Sequence, residues 1–115
     1  MALDITQSIE IIEIMENYIA KVRPKPEIRD RLDIGYEIDE QSVVLQEIRP
    51  LFENPTEIRR HGYAKATYVQ HKNIWKVFWM RADLKWHPYP PEATVKHLSD
   101  FLNLVDADIH GCFRG

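Results

Sequence analysis

The chain has 115 residues, a formal net charge of −3, 44% hydrophobic residues and 29% charged residues. This describes one domain with enough apolar content for its own core, and excludes a disordered chain, a large multidomain enzyme and a full dinucleotide-binding domain. A single cysteine excludes an intrachain disulfide, so a reducing cytosol is the default location.

No apolar run approaches the ~20 residues of a membrane span. No basic start followed by an apolar stretch indicates secretion. Residues 4–22 predict an amphipathic helix, because Ile5, Ile9, Ile12, Met15, Ile19 and Val22 recur at three- and four-residue steps. Asp4 with Gln7 forms an acidic capping box at its start. Ile11, Ile14 and Tyr18 widen the apolar stripe. A wide stripe implies deep burial, or a second contact surface such as a homodimer through this first helix.

Arg23-Pro24-Lys25-Pro26 ends the helix, since proline cannot continue one. Residues 27–32 predict a turn or a single helical turn. Residues 33–38 and 43–49 predict a hairpin around Asp39-Glu40-Gln41-Ser42. Residues 50–62, with two prolines and a glycine, predict a loop. Residues 64–71 and 74–81 predict a second hairpin with His71-Lys72-Asn73 at its bend. Both parities of 74–80 are mostly apolar, so this strand is expected to be central, covered on both faces, with Trp75 and Trp79 inside. Residues 84–89 add a short last strand, with Trp86 partly exposed. After Pro90-Pro91, residues 95–107 predict a helix with Val95, Leu98, Phe101, Leu102 and Val105 on one face. The fold class is therefore α+β. An N-terminal helix precedes two antiparallel hairpins in a sheet of about four to five strands, and a C-terminal helix packs on it.

Charge is unevenly distributed. Residues 1–57 hold 13 acids and 6 bases, so they carry −7. Residues 58–90 hold 7 bases and one acid, Asp83, so they carry +6; residues 91–115 carry −2. The basic block also holds seven of the 12 aromatic residues. A basic segment interleaved with aromatics suits single-stranded nucleic acid or another anion. It equally suits strands that alternate lysine with aromatics on a solvated face. Within it, Arg81-Ala82-Asp83-Leu84-Lys85-Trp86-His87 places an acid among three potential cations. Asp83, Lys85, His87 and Tyr89 share one parity if the segment is extended. Arg81, Asp83, Lys85, Trp86 and His87, with Arg49 nearby, are the candidate binding residues for nucleic acid or an acidic protein surface. The alternative is structural, with Asp83 neutralising Arg81 or closing a turn.

Asp33 followed by Glu47-Ile48-Arg49 resembles the metal site of PD-(D/E)xK nucleases. There two acids hold a divalent metal, and a base contacts the water or phosphate. Glu10 or Glu13 would supply a third acid. Arg49 stands where the base belongs, yet it cannot deprotonate and so cannot act as a general base. The alternative is ordinary cross-strand pairing of Glu47 and Arg49. The five histidines lack short-range ligand spacing, and His110 with Cys112 has no accompanying pair. No metal or cofactor is therefore expected. Glycine-rich phosphate loops and a nucleophile elbow are missing as well.

Several stretches carry a resemblance: RPKPEIRDRLDIGYEI, SVVLQEIRP, AKATYVQHKNIWKVFWMRADLKWHPY and the closing GCF. The most specific is W-K-V-x-W-x-R-A-D-L-K-W-H, here Trp75 to His87. Over residues 22–113 the chain resembles a family of small bacterial proteins known as domain-of-unknown-function family 3024. The resemblance implies a free-standing domain in a bacterial cytoplasm and implies no activity.

Overall fold

The computed structural model describes residues 3–114. Asp4 caps the first helix, α1 (Ile5–Val22): its carboxylate accepts the Gln7 N–H at 2.8 Å, and the Gln7 side chain accepts the Asp4 N–H at 3.3 Å. Turns over residues 26–31 follow the Pro24/Pro26 break and lead into β1 (Asp33–Asp39). β1 pairs antiparallel with β2 (Ser42–Pro50) around Glu40, whose φ of 54° closes the tight turn. β3 (Ile58–Val69), β4 (Ile74–Met80) and β5 (Trp86–Pro88) extend the meander in chain order. Asn73, left-handed at φ 53°, makes the β3–β4 bend and accepts the Tyr68 hydroxyl at 2.7 Å. A two-residue strand, β6 (Thr94–Val95), pairs with the outer half of β4, and α2 (Leu98–Ala107) closes the fold. The domain is thus α+β, with an N-terminal helix, an antiparallel sheet and a C-terminal helix.

Both helices pack on one side of the sheet. α1 contributes Ile11, Met15 and Tyr18; α2 contributes Leu98, Phe101, Leu102 and Val105. They bury Ile34, Val43, Leu45, Ala64, Ala66, Trp75 and Val77 in a single core cluster. A bulge breaks the β2–β3 register: Leu45 faces Ala64 and Gln46 faces Gly62, which leaves Tyr63 as the extra residue. The bulge buries Tyr63 beside Ala64 on the core side. Tyr18 donates its hydroxyl to Asp106 at 2.7 Å, tying α1 to α2.

Four expectations need correction. The 50–62 loop is shorter, because β3 starts at Ile58 and pairs with the far end of β2; residues 51–57 alone connect them. The last helix starts at Leu98, because Thr94 and Val95 pair with β4. The expected buried stripe of α1 mixes two faces. Met15, Ile19 and Val22 do pack on the core, but Ile5, Ile9 and Ile12 are 80%, 54% and 43% exposed. At 3.6 residues per turn these three lie about a third of a turn away from Ile11, Met15 and Tyr18. Finally, β4 is covered on one face only. Trp75 and Val77 are buried under the helices, whereas Ile74, Lys76, Phe78 and Met80 face a side that carries no helix.

Candidate functional site

The β4–β5 connection is a closed turn, not an extended segment. The Leu84 N–H bonds to the Arg81 carbonyl at 2.9 Å, with Leu84 left-handed at φ 61°. The Asp83 carboxylate accepts the Lys85 N–H at 3.0 Å and lies 2.8 Å from His87 Nε2. The His87 bond, then the Lys85 amide, holds the Asp83 carboxyl below the usual carboxylate range. Asp83 therefore shapes this turn. Parity over 83–89 does not put Asp83, Lys85, His87 and Tyr89 on one surface, since Tyr89 is buried against Phe113 with ring centroids 4.8 Å apart.

The strand register divides the candidate set further. His87 sits opposite Trp79, with which it shares the helix side of the sheet, and the Arg81 guanidinium lies 5.6 Å from the Trp79 ring centroid. Trp86 sits opposite Met80 and faces the uncovered side. Arg49 lies near the end of β2 on the helix side, opposite Arg59. The six residues thus form no single surface, because alternate strand residues point to opposite faces.

On the uncovered side the structure brings together a different group. The Trp86 indole lies over Gly62; a Cβ there would meet both ring Cζ2 and Val44 Cγ1 at 3.0 Å. Lys65 stands opposite Phe78 and places its ammonium 5.0 Å from the Phe78 centroid and 5.1 Å from the Trp86 centroid. Both distances are cation–π contacts. Burial pushes the Lys65 amine below its ordinary value, with Asp39 pulling weakly the other way. Arg60, opposite Ile48, and Lys76, opposite Thr67, flank this group. The positions of β3, β4 and β5 on this face carry no acid; its acids lie on the edge strand β1 as Asp33, Glu37 and Asp39. The basic block contained Lys65 and Phe78, but only the register shows that they share a face with Trp86.

Asp33 and Glu47 do not meet. Asp33 pairs across the strands with Ile48, and Glu47 with Ile34, so the two carboxylates leave opposite faces of the sheet. Arg23 grips Asp33 through two bonds of 2.9 and 2.8 Å and holds its carboxyl below the ordinary range. Glu47 accepts from Arg114 at 3.0 Å and Arg49 at 3.3 Å. Burial raises Glu47, but these two arginines more than offset it and bring its carboxyl below the ordinary value. Divalent metal held between Asp33 and Glu47 is incompatible with this placement. Among the described residues, no three His, Cys, Asp or Glu side chains converge to hold a metal ion.

Fold and surface define an α+β architecture with a two-helix layer on one face of an antiparallel sheet and a basic, aromatic patch on the other. The chain belongs to the family described as "Domain of unknown function (DUF3024)", whose sequence pattern matches residues 4–115 and thus includes the first helix. No curated protein and no solved structure matches the chain. Among the described residues, no helix is long and apolar enough to cross a membrane.

Proposed function

We propose that the domain is a non-enzymatic binding module whose uncovered sheet face engages an anionic partner carrying flat rings, single-stranded nucleic acid. One observation carries this reading: Lys65 held between Phe78 and Trp86 on a face whose β3–β5 positions include Arg60 and Lys76 and no acid. Aromatic rings stack bases of any sequence, and lysines beside them meet the phosphates. The expected measurement is fluorescence polarisation of labelled oligonucleotides at low and at physiological salt. Affinity falls steeply with salt, and Lys65→Ala flattens the slope by ~0.7 for its lost phosphate contact. Trp86→Ala weakens binding roughly tenfold, the effect of one lost stacked base, while Trp86→Phe retains most of it. Absence of binding at low salt removes nucleic acid and turns the reading to an acidic protein surface.

A second reading rests on Ile5, Ile9 and Ile12, which stand exposed in one stripe of α1. A second copy of the chain covers both stripes in one isologous contact, which makes a homodimer through α1. Sedimentation equilibrium tests it. A dimer that dissociates in Ile9→Asp supports it, and a monomer at high concentration overturns it.

A further inference from the structure

At one end of the sheet β2 and β3 form a ribbon that runs on past β1, whose pairing with β2 stops at Ile48. Its helix-side face presents a square of four side chains: Glu47 opposite His61, and Arg49 opposite Arg59. They line one depression of about 270 Å³. Two arginines placed directly across a strand pair repel each other, and a sheet ordinarily avoids the arrangement. Glu47 does not relieve it. That carboxylate already accepts from Arg49 and from Arg114, so the two arginines that line the depression against this one shared carboxylate leave it a net +1. Among the described residues, neither the Arg59 nor the His61 side chain has a hydrogen-bond or ion-pair partner.

We infer that this ribbon face is a binding site for a phosphate dianion, gripped between the forks of Arg49 and Arg59 with His61 as a third donor. Each guanidinium offers paired N–H groups that fit two oxygens of one anion. Two forks and an imidazole exceed what the two coplanar oxygens of a carboxylate accept, and they match the tetrahedral oxygens of phosphate. The depression is open to solvent, so a phosphomonoester can seat its phosphate there while its organic group projects outward. Glu47, which shares the lining, holds Arg49 in place through its 3.3 Å bond. The site lies on the opposite side of the sheet from Lys65 and Trp86, so it stands or falls separately from the reading given above.

The test follows the arginine Nε–Hε resonances of the full chain in ¹H–¹⁵N spectra during titration with inorganic phosphate. Saturable shifts at Arg49 and Arg59 that sodium chloride of equal ionic strength does not produce support the site. Arg59→Gln and Arg49→Gln weaken phosphate at least tenfold, and Arg59→Lys, which keeps the charge but loses the fork, weakens it by less. Without phosphate, Arg59→Gln melts no lower than the wild type, because it removes a repulsion. Lys65→Ala leaves the phosphate-induced shifts at Arg49 and Arg59 unchanged. Two ligand sources are separated by adenosine monophosphate and by oligonucleotides with and without a 5′-phosphate. A 5′-phosphate gain lost in Arg59→Gln assigns the site to strand ends; binding of the mononucleotide without that gain assigns it to small phosphomonoesters. Shifts that chloride reproduces, or equal phosphate affinity in Arg59→Gln, overturn the inference.

Discussion

Gly62 and Gly35 both lie in strands on the uncovered face, yet they sit in different surroundings. At Gly62 a Cβ would press at 3.0 Å on the Trp86 ring, which is rigid, and on Val44, which is buried. At Gly35 it would meet only the Cδ1 end of Ile48 at 2.9 Å, an atom that one rotamer change moves away. Gly62→Ala is therefore expected to cost about 1–2 kcal/mol by overpacking and to displace Trp86. Gly35→Ala is expected to stay within about 0.5 kcal/mol of wild type, since a less flexible unfolded chain offsets the small shift. Urea midpoints at unchanged slope measure both, and near-UV circular dichroism reports the tryptophan. Equal costs at the two glycines would refute the contact account. Neither environment is legible in the sequence, because Trp86 reaches Gly62 from 24 positions further along the chain. By contrast, the left-handed bend at Asn73 is legible, since asparagine tolerates that conformation and stands between two strand-like runs.

At the scale of elements, periodicity finds what a buried face writes into the sequence and misses what has none. The α1 start is readable from Asp4 and Gln7, because a cap is a local bond. Its core face is not, because isoleucine at 5, 9, 11, 12, 14 and 19 surrounds much of the helix and no single stripe stands out. Strands β1, β2 and β4 are legible from their apolar β-branched and aromatic content. The first part of β3, Ile58 to Gly62, gives no such signal. No helix covers that ribbon, Ile58 is exposed, and the polar residues of both parities read as loop. The arginines of the anion site escape for the same reason: Arg49 and Arg59 meet only through a pairing that the loop-like sequence conceals. The apolar pattern on both parities of 74–80 misleads in the opposite direction. Phe78 and Met80 are not under a second helix layer; Phe78 lies against Lys65 at the surface.

For the whole molecule, the tail after α2 is the element that joins the layers. Asp108, left-handed at φ 38°, ends α2, and its carboxylate accepts the N–H groups of Phe113 at 3.0 Å and Arg114 at 2.9 Å. The turn delivers Phe113 into the core against Tyr89. It also lays the Arg114 guanidinium 5.4 Å from the Tyr63 ring centroid, with Glu47 of β2 at 3.0 Å. Glu47 thus pins the C-terminal end to the sheet. Its carboxyl is held below the ordinary value of 4.5 in the fold, so ionised Glu47 favours the folded chain. The stability it adds is present above the unfolded value and is lost as pH falls through the lower folded value. Glu47→Gln at pH 7 is expected to cost about 1 kcal/mol, a figure that already allows for solvent screening at a partly exposed pair. Measured by urea unfolding, the gap between variant and wild type stays constant from neutral pH down to about pH 5, then closes as the wild-type carboxyl protonates. Arg114→Ala costs a similar amount, and in the double variant the two losses overlap because they remove one link. A gap that widens in acid, or full additivity of the two substitutions, would show that the Glu47–Arg114 pair does not hold the tail.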